Sequence, residues 1–165
     1  MSAGRAALAV TRDDLRSVCG STLWVSLVAG AAPYSARDEL HAAADEAFDE
    51  LSEEDWLEAF AHHPRIGDVA ALRERFAASG AHSEREQSAL ADVSEETLVE
   101  LAVGNTTYET CFGFVFLVRA AGRTAGELLQ IQRERLDHPR DIELAIAAQQ
   151  QREITHLRID QIFAD

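Results

Sequence analysis

From Ser35 onward, Leu40, Ala43, Ala44, Ala47, Phe48 and Leu51 recur at spacings of three and four, which places them on one side of a helix. Ser52 opens a shorter stretch in which Trp56, Leu57 and Phe60 share a face. Pro64 ends it, because proline disfavours the α conformation at the residue before it. "DVAALRERFA" predicts a more polar helix, "GAHSEREQSAL" begins another after Gly80, and a longer one runs from Ser94 to about Thr110. On that helix Leu98, Leu101, Ala102, Asn105 and Tyr108 fall on one side, so the Asn105 amide sits in an apolar stripe and needs a hydrogen-bond partner. Two helices close the chain, Thr124 to about Leu136 and Pro139 to about Phe163, the second with proline near its first turn, where no amide hydrogen is missed.

Four of these starts pair a side-chain oxygen with an acid three residues on: Thr11 with Asp14, Ser35 with Asp38, Ser52 with Asp55, Thr124 with Glu127. One stretch breaks the helical pattern. "CFGFVFLVRAAG" is aromatic, β-branched and uncharged up to Arg119, with Gly113 inside it, and predicts a buried extended segment. The expected architecture is all-α, a single-domain helical bundle over residues 1–165 with one buried extended segment and a ligand site between helices and loops.

Composition narrows the function. With 165 residues, 47% of them hydrophobic, the chain can bury a sizeable core. A net charge of -14, and no lysine among its 15 basic residues, exclude a nucleic-acid partner, because phosphate binding needs clustered cations. An anionic small molecule would need a local group of arginines. The N-terminal apolar run is too short for a secretory signal, and the run from Leu23 to Ala32 is too short to span a bilayer. Cys19 and Cys111 form no CxxC pair, and the last three residues are not a peroxisomal address. A soluble, cytoplasmic protein without a membrane partner is expected.

Four groups carry candidate chemistry. His63 in "HHPRIGD" sits in a turn stiffened by Pro64 and reads either as a proton carrier or as a residue that packs or caps the preceding helix. In "SEREQ", Ser83 and Glu86 match a helix-start pattern, and the same carboxylate at a cleft would orient or charge a histidine. Gln87 can hydrogen-bond an amide or ureido group in both directions. Arg158, in the row Ile154, Arg158, Ile162, rides the flank of an apolar stripe and either reaches an internal acceptor or grips a carboxylate ligand. Arg119 invites the same two readings. His41, His62, His63, His82, His138 and His156 show no HxxxH or HExxH spacing, so no metal site is expected.

The segments "AHHPRIG" at 61–67, "SEREQ" at 83–87, "NTTYETCFGFVF" at 105–116 and "ITHLRI" at 154–159 together resemble the 2-oxo-4-hydroxy-4-carboxy-5-ureidoimidazoline (OHCU) decarboxylases of purine degradation. The resemblance covers nearly the whole chain. It implies an all-α fold, no cofactor and no metal, conversion of the last unstable intermediate of urate oxidation to (S)-allantoin with loss of carbon dioxide, and a homodimer. It implies His63 as catalytic histidine, Glu86 as its partner carboxylate and Arg158 as the substrate-gripping arginine. Pro64 with Ser83, Glu84, Arg85, Glu86 and Gln87 would form one part of the pocket wall. Phe116, Leu117, Val118, Arg119 and Ala120 would form another, mainly through backbone groups. Cys111, where many relatives carry a basic residue, and "RIGD" after the His-Pro, where other relatives have an acid and a shorter turn, depart from the family pattern. The chemistry is consistent with so few parts, since the electron pair left by carbon dioxide can be delocalised into the substrate itself and no pyridoxal or thiamine is required. Two rivals make other predictions. A non-catalytic helical module would bind a partner protein through "ALRERFAASGAHSEREQ", and a metal- or Cys111-dependent hydrolase of ureido compounds would be sensitive to chelators or thiol blockers.

Overall fold

The computed structural model describes residues 7–65, 67–78 and 94–164. Among them lie eight helices: α1 (Arg12–Val18), α2 (Thr22–Gly30), α3 (Arg37–Asp49), α4 (Glu53–Ala61), α5 (Val69–Ala78), α6 (Glu95–Phe112), α7 (Ala125–Leu136) and α8 (Arg140–Ile162). The one strand-like feature among the described residues is an isolated antiparallel bridge between Leu8 and Tyr34. By its internal contacts the chain divides into two compact units, Met1–His63 with Ala148–Asp165, and Pro64–Ala147. None of the helices is long and apolar enough to cross a membrane, among the described residues.

In the first unit, α1 and α4 begin at the expected capping boxes, Thr11 with Asp14 and Ser52 with Asp55. The box expected at Ser35 does not form. Ala36 is the N-cap of α3 and has no side chain to offer, so the Glu39 carboxylate reaches back instead and accepts from the Ser35 amide at 2.7 Å. The run from Leu23, too short for a bilayer, is helix α2, capped by Ser21. Trp24, Val25 and Val28 of α2 pack with Leu15, Leu40, Phe48 and Ile159. The Trp24 indole N–H donates to the Ala44 carbonyl at 3.1 Å, which satisfies the one polar atom of that ring. Phe48 stacks on Trp56 with centroids 5.2 Å apart. Burial of each such side chain contributes about 1.5–3 kcal/mol.

In the second unit, Leu72, Leu98, Leu101, Ala102, Leu128 and Leu129 bring α5, α6 and α7 together. Asn105 has the partner its position demands, since its Oδ1 accepts from Gln132 Nε2 at 2.7 Å. Thr124 and Glu127 form the capping box of α7. Helix α6 continues through Cys111 and Phe112, two residues the sequence pattern assigned to the extended segment. It stops at Gly113, whose φ of 83° is left-handed and unfavourable for any residue with a Cβ. Residues 115–120 then carry no regular structure, with Phe114 and Leu117 buried and Arg119 exposed.

Candidate active site

The site is built outward from the end of α4. His62 caps that helix and His63 follows it, its own amide still donating to the Phe60 carbonyl at 3.1 Å. Gly20, between α1 and α2, meets this turn closely. A Cβ built there would stand 2.3 Å from the His62 Cβ, so the approach requires glycine. The half-buried His63 ring places Nε2 2.7 Å from Gln151 Oε1. Gln151 Nε2 donates to Thr155 Oγ1 at 3.0 Å, and Thr155 donates to the Val18 carbonyl at 3.3 Å. The half-buried Arg158 donates Nη1 to that same carbonyl at 3.3 Å. His63 and Arg158, far apart in sequence, therefore lie on one continuous hydrogen-bonded chain. Its two middle members, Gln151 and Thr155, are 0% exposed.

Sequence reasoning missed those two members. The row that faces inward along α8 is Glu143, Ala147, Gln151, Thr155 and Ile159, one residue every four. The row Ile154, Arg158, Ile162 lies beside it, half-buried and ending at a 43% exposed Ile162, so it is not the core stripe. Three of the five inward residues are polar, which hides the row from any hydrophobic pattern. The signal that was available is the register of Gln151 and Thr155 with Ala147, Ile159 and Phe163.

Beside this chain lies Cys19. Burial pushes its thiol up to about 11, partly opposed by the Ser21 backbone and the Arg158 charge. It is an inert packing thiol, whereas Cys111 is exposed on α6.

In the second unit the segment 116–120 is held from below. Arg135 donates Nη1 to the Leu117 carbonyl at 2.6 Å, and its guanidinium lies 4.8 Å from the Phe116 ring centroid. Its Nε is paired with Glu143, which also accepts from Tyr108 at 2.5 Å and from His138 Nδ1 at 3.0 Å. Burial raises the Tyr108 phenol well above its usual range. The Arg135 charge opposes that rise and the bond to Glu143 adds to it, so the hydroxyl stays a donor. Among the backbone groups of this segment, the Leu117 carbonyl serves to anchor the segment. Val118 and Ala120 pack against the core of this unit.

Pro64 is exposed, and Arg65 next to it pairs with Glu109 at 2.6 Å. Ser83, Glu84, Arg85, Glu86 and Gln87 lie outside the described residues. Among the described residues no group of three or more His, Cys, Asp or Glu is arranged to hold a metal ion.

A family model for OHCU decarboxylases matches residues 6–160. The chain is 36% identical to a uric acid degradation bifunctional protein of Arabidopsis thaliana over 162 residues, 96% of this chain but 49% of that protein, so it spans about half the plant protein's length. It is 28% identical to a 2-oxo-4-hydroxy-4-carboxy-5-ureidoimidazoline decarboxylase of Haloferax volcanii over 132 residues, 80% of this chain and 76% of that one. Its structure is similar to a crystal structure of an OHCU decarboxylase in the presence of (S)-allantoin, with a TM-score of 0.75, 32% identity and coverage of 93% and 99% of the two chains. A match over nearly the entire sequence, together with the all-helical fold, makes this chain a member of the OHCU decarboxylase family.

Proposed function

We propose that the chain is a carboxy-lyase that decarboxylates 2-oxo-4-hydroxy-4-carboxy-5-ureidoimidazoline to (S)-allantoin in urate degradation. Family membership supports the reaction, and one structural observation supports the residues: His63 and Arg158 share the hydrogen-bonded chain through Gln151, Thr155 and the Val18 carbonyl. In this reaction the carbon–carbon bond to the carboxylate breaks, carbon dioxide leaves, and the electron pair stays in the substrate until a proton arrives. Arg158 grips the anionic substrate through its planar fork. His63 exchanges the proton and delivers it to one face, which yields one enantiomer. Because the substrate itself takes up the electron pair, the chemistry needs position, desolvation and a proton rather than an added cofactor.

Glu86 as the partner carboxylate, and Ser83, Glu84, Arg85, Gln87 and Pro64 as binding residues, rest on their motifs alone. Phe116, Leu117, Val118, Arg119 and Ala120 are proposed as pocket wall, supported by the anchoring of Leu117. A cytoplasmic homodimer of one family domain per chain, with no nucleic-acid or membrane partner, completes the reading. The acidic charge of -14 supports the exclusion of nucleic acid.

The test supplies freshly oxidised urate and the preceding hydrolase and follows circular dichroism, because spontaneous allantoin is racemic. The protein should produce an optically active product. His63→Ala should fold and lose at least 100-fold in rate, roughly the lower bound for a general acid–base group. Arg158→Lys should lose binding through the missing fork. A His63→Ala protein that still makes one enantiomer at a normal rate would refute the role of His63.

A further inference from the structure

The chain of contacts behind His63 has a direction, and the direction can be read from chemistry alone. A peptide carbonyl accepts and never donates. Thr155 Oγ1, 3.3 Å from the Val18 carbonyl, therefore spends its one hydrogen there. Towards Gln151, 3.0 Å away, the same oxygen has lone pairs to offer, so Gln151 must present its NH2 group. The planar amide then turns Oε1, an acceptor, to His63 Nε2 at 2.7 Å. A ring nitrogen facing an acceptor at that distance carries a hydrogen.

We infer that Gln151 and Thr155 are positioning residues that keep a hydrogen on His63 Nε2 and hold the ring in place for the proton exchange of the reaction. This rests on the reading of His63 as the proton carrier and adds what fixes its tautomer. Both positioning side chains are fully buried, so water is not at hand to take over a broken link. The polarity holds in either charge state of the ring. Neutral His63 is the Nε2–H tautomer with its lone pair on Nδ1, and charged His63 differs only by a hydrogen on Nδ1. The opposite polarity would turn the Thr155 hydroxyl to Gln151, leave the Val18 carbonyl to Arg158 alone, and put the hydrogen of neutral His63 on Nδ1.

The two polarities differ in an observable that needs no turnover. In protein carrying 15N-histidine, long-range proton–nitrogen correlation spectra report the tautomer of each ring, and His63→Asn identifies which signals belong to residue 63. The wild-type ring, at a pH where it is neutral, should show a protonated Nε2 and an unprotonated Nδ1. Gln151→Leu should let the tautomers mix and lower kcat about 10- to 100-fold with little change in KM, a part of the roughly 100- to 10,000-fold such a group supplies. Thr155→Val, nearly isosteric, should do the same more weakly, and it answers the question should Gln151→Leu fail to fold. Gln151→Glu keeps an acceptor in front of Nε2 and should restore the tautomer and most of kcat. A neutral wild-type ring protonated on Nδ1, or a folded Gln151→Leu with unchanged tautomer and kcat, overturns the inference. Full chiral turnover by His63→Asn would instead overturn the reading beneath it.

Discussion

Two buried polar networks hold the parts of this molecule that matter, and they are built from opposite materials. From His63 to Val18 every link is neutral, an amide, a hydroxyl and a peptide carbonyl, and the Arg158 guanidinium joins only at that last carbonyl. Beneath residues 116–120 the centre is ionic: the Glu143 carboxylate, at 0% exposure, pairs with Arg135 and also accepts from Tyr108 and His138. Neutral links contribute little net stability, about 0.5–1.5 kcal/mol each, but they impose an order of donors and acceptors. An ionic hub contributes rigidity at the expense of brittleness, because removing one member leaves a buried charge unmatched. The difference fits what each network carries. A proton carrier needs its tautomer specified without a strong field, whereas a strap of irregular backbone needs a fixed anchor.

The largest effect should come from breaking the ionic hub. Glu143→Ala strands Arg135 and frees the Leu117 carbonyl from its rigid donor, and should cost about 3–5 kcal/mol, the usual range for half of a buried pair. Urea unfolding measures that loss, and hydrogen exchange should rise in residues 116–120. Removing charge from both sides with Arg135→Met and Glu143→Leu should be milder than Glu143→Ala alone. A single-variant loss of only about 1 kcal/mol, the size of one neutral link, would erase the distinction between the two networks.

Much of the framework is legible in the sequence. Capping boxes at Thr11, Ser52 and Thr124 fix three helix starts within a few residues, since one side-chain oxygen and one carboxylate suffice to define them. Helix α2 was not legible, because it is apolar nearly all round and offers no polar face to set a period. The turn at His63 was legible from Pro64. Its supports were not, because Gln151 follows Gln149 and Gln150 in what reads as a solvated run, and Arg135 lies among the charges of "QRERL". Buried polar residues are disguised in this way whenever their partners are distant in sequence, as Val18 is from Thr155 and Leu117 from Arg135. Family resemblance supplied the candidates His63 and Arg158, but the link between them is a property of the fold.

A smaller effect should follow from crowding the neutral network without touching its members. Gly20→Ala places a methyl group 2.3 Å from the His62 Cβ, an atom fixed to the backbone that cannot swing aside. Overpacking of this kind costs about 1–3 kcal/mol. Thermal unfolding reads that cost, and the 15N spectrum of His63 reads whether the adjacent turn has moved off Gln151. A neutral network that depends on placement should lose its tautomer preference here although all its hydrogen-bonding groups are intact. An unchanged His63 spectrum alongside a lower Tm would show that the turn adapts and that placement is less critical than the contrast with the ionic hub implies.

The smallest effect concerns the thiol beside the neutral network. Cys19 is buried and its pKa is raised from 9.0 to about 11, so the folded state holds the proton more tightly than the unfolded chain does. The resulting stability is complete below pH 9 and is lost as the pH rises through about 11, since the unfolded chain releases its proton first. Urea midpoints measured across that window should fall more steeply for the wild type than for Cys19→Ala, which has no thiol to ionise. Tyr108, raised in the same direction, contributes equally to both proteins and cancels in the difference. At neutral pH a thiol reagent should modify Cys111 quickly and Cys19 only on unfolding. Rapid modification of both would mean that water reaches the surroundings of Thr155 and Gln151, and a wet neutral network could not keep the fixed donor order argued for it.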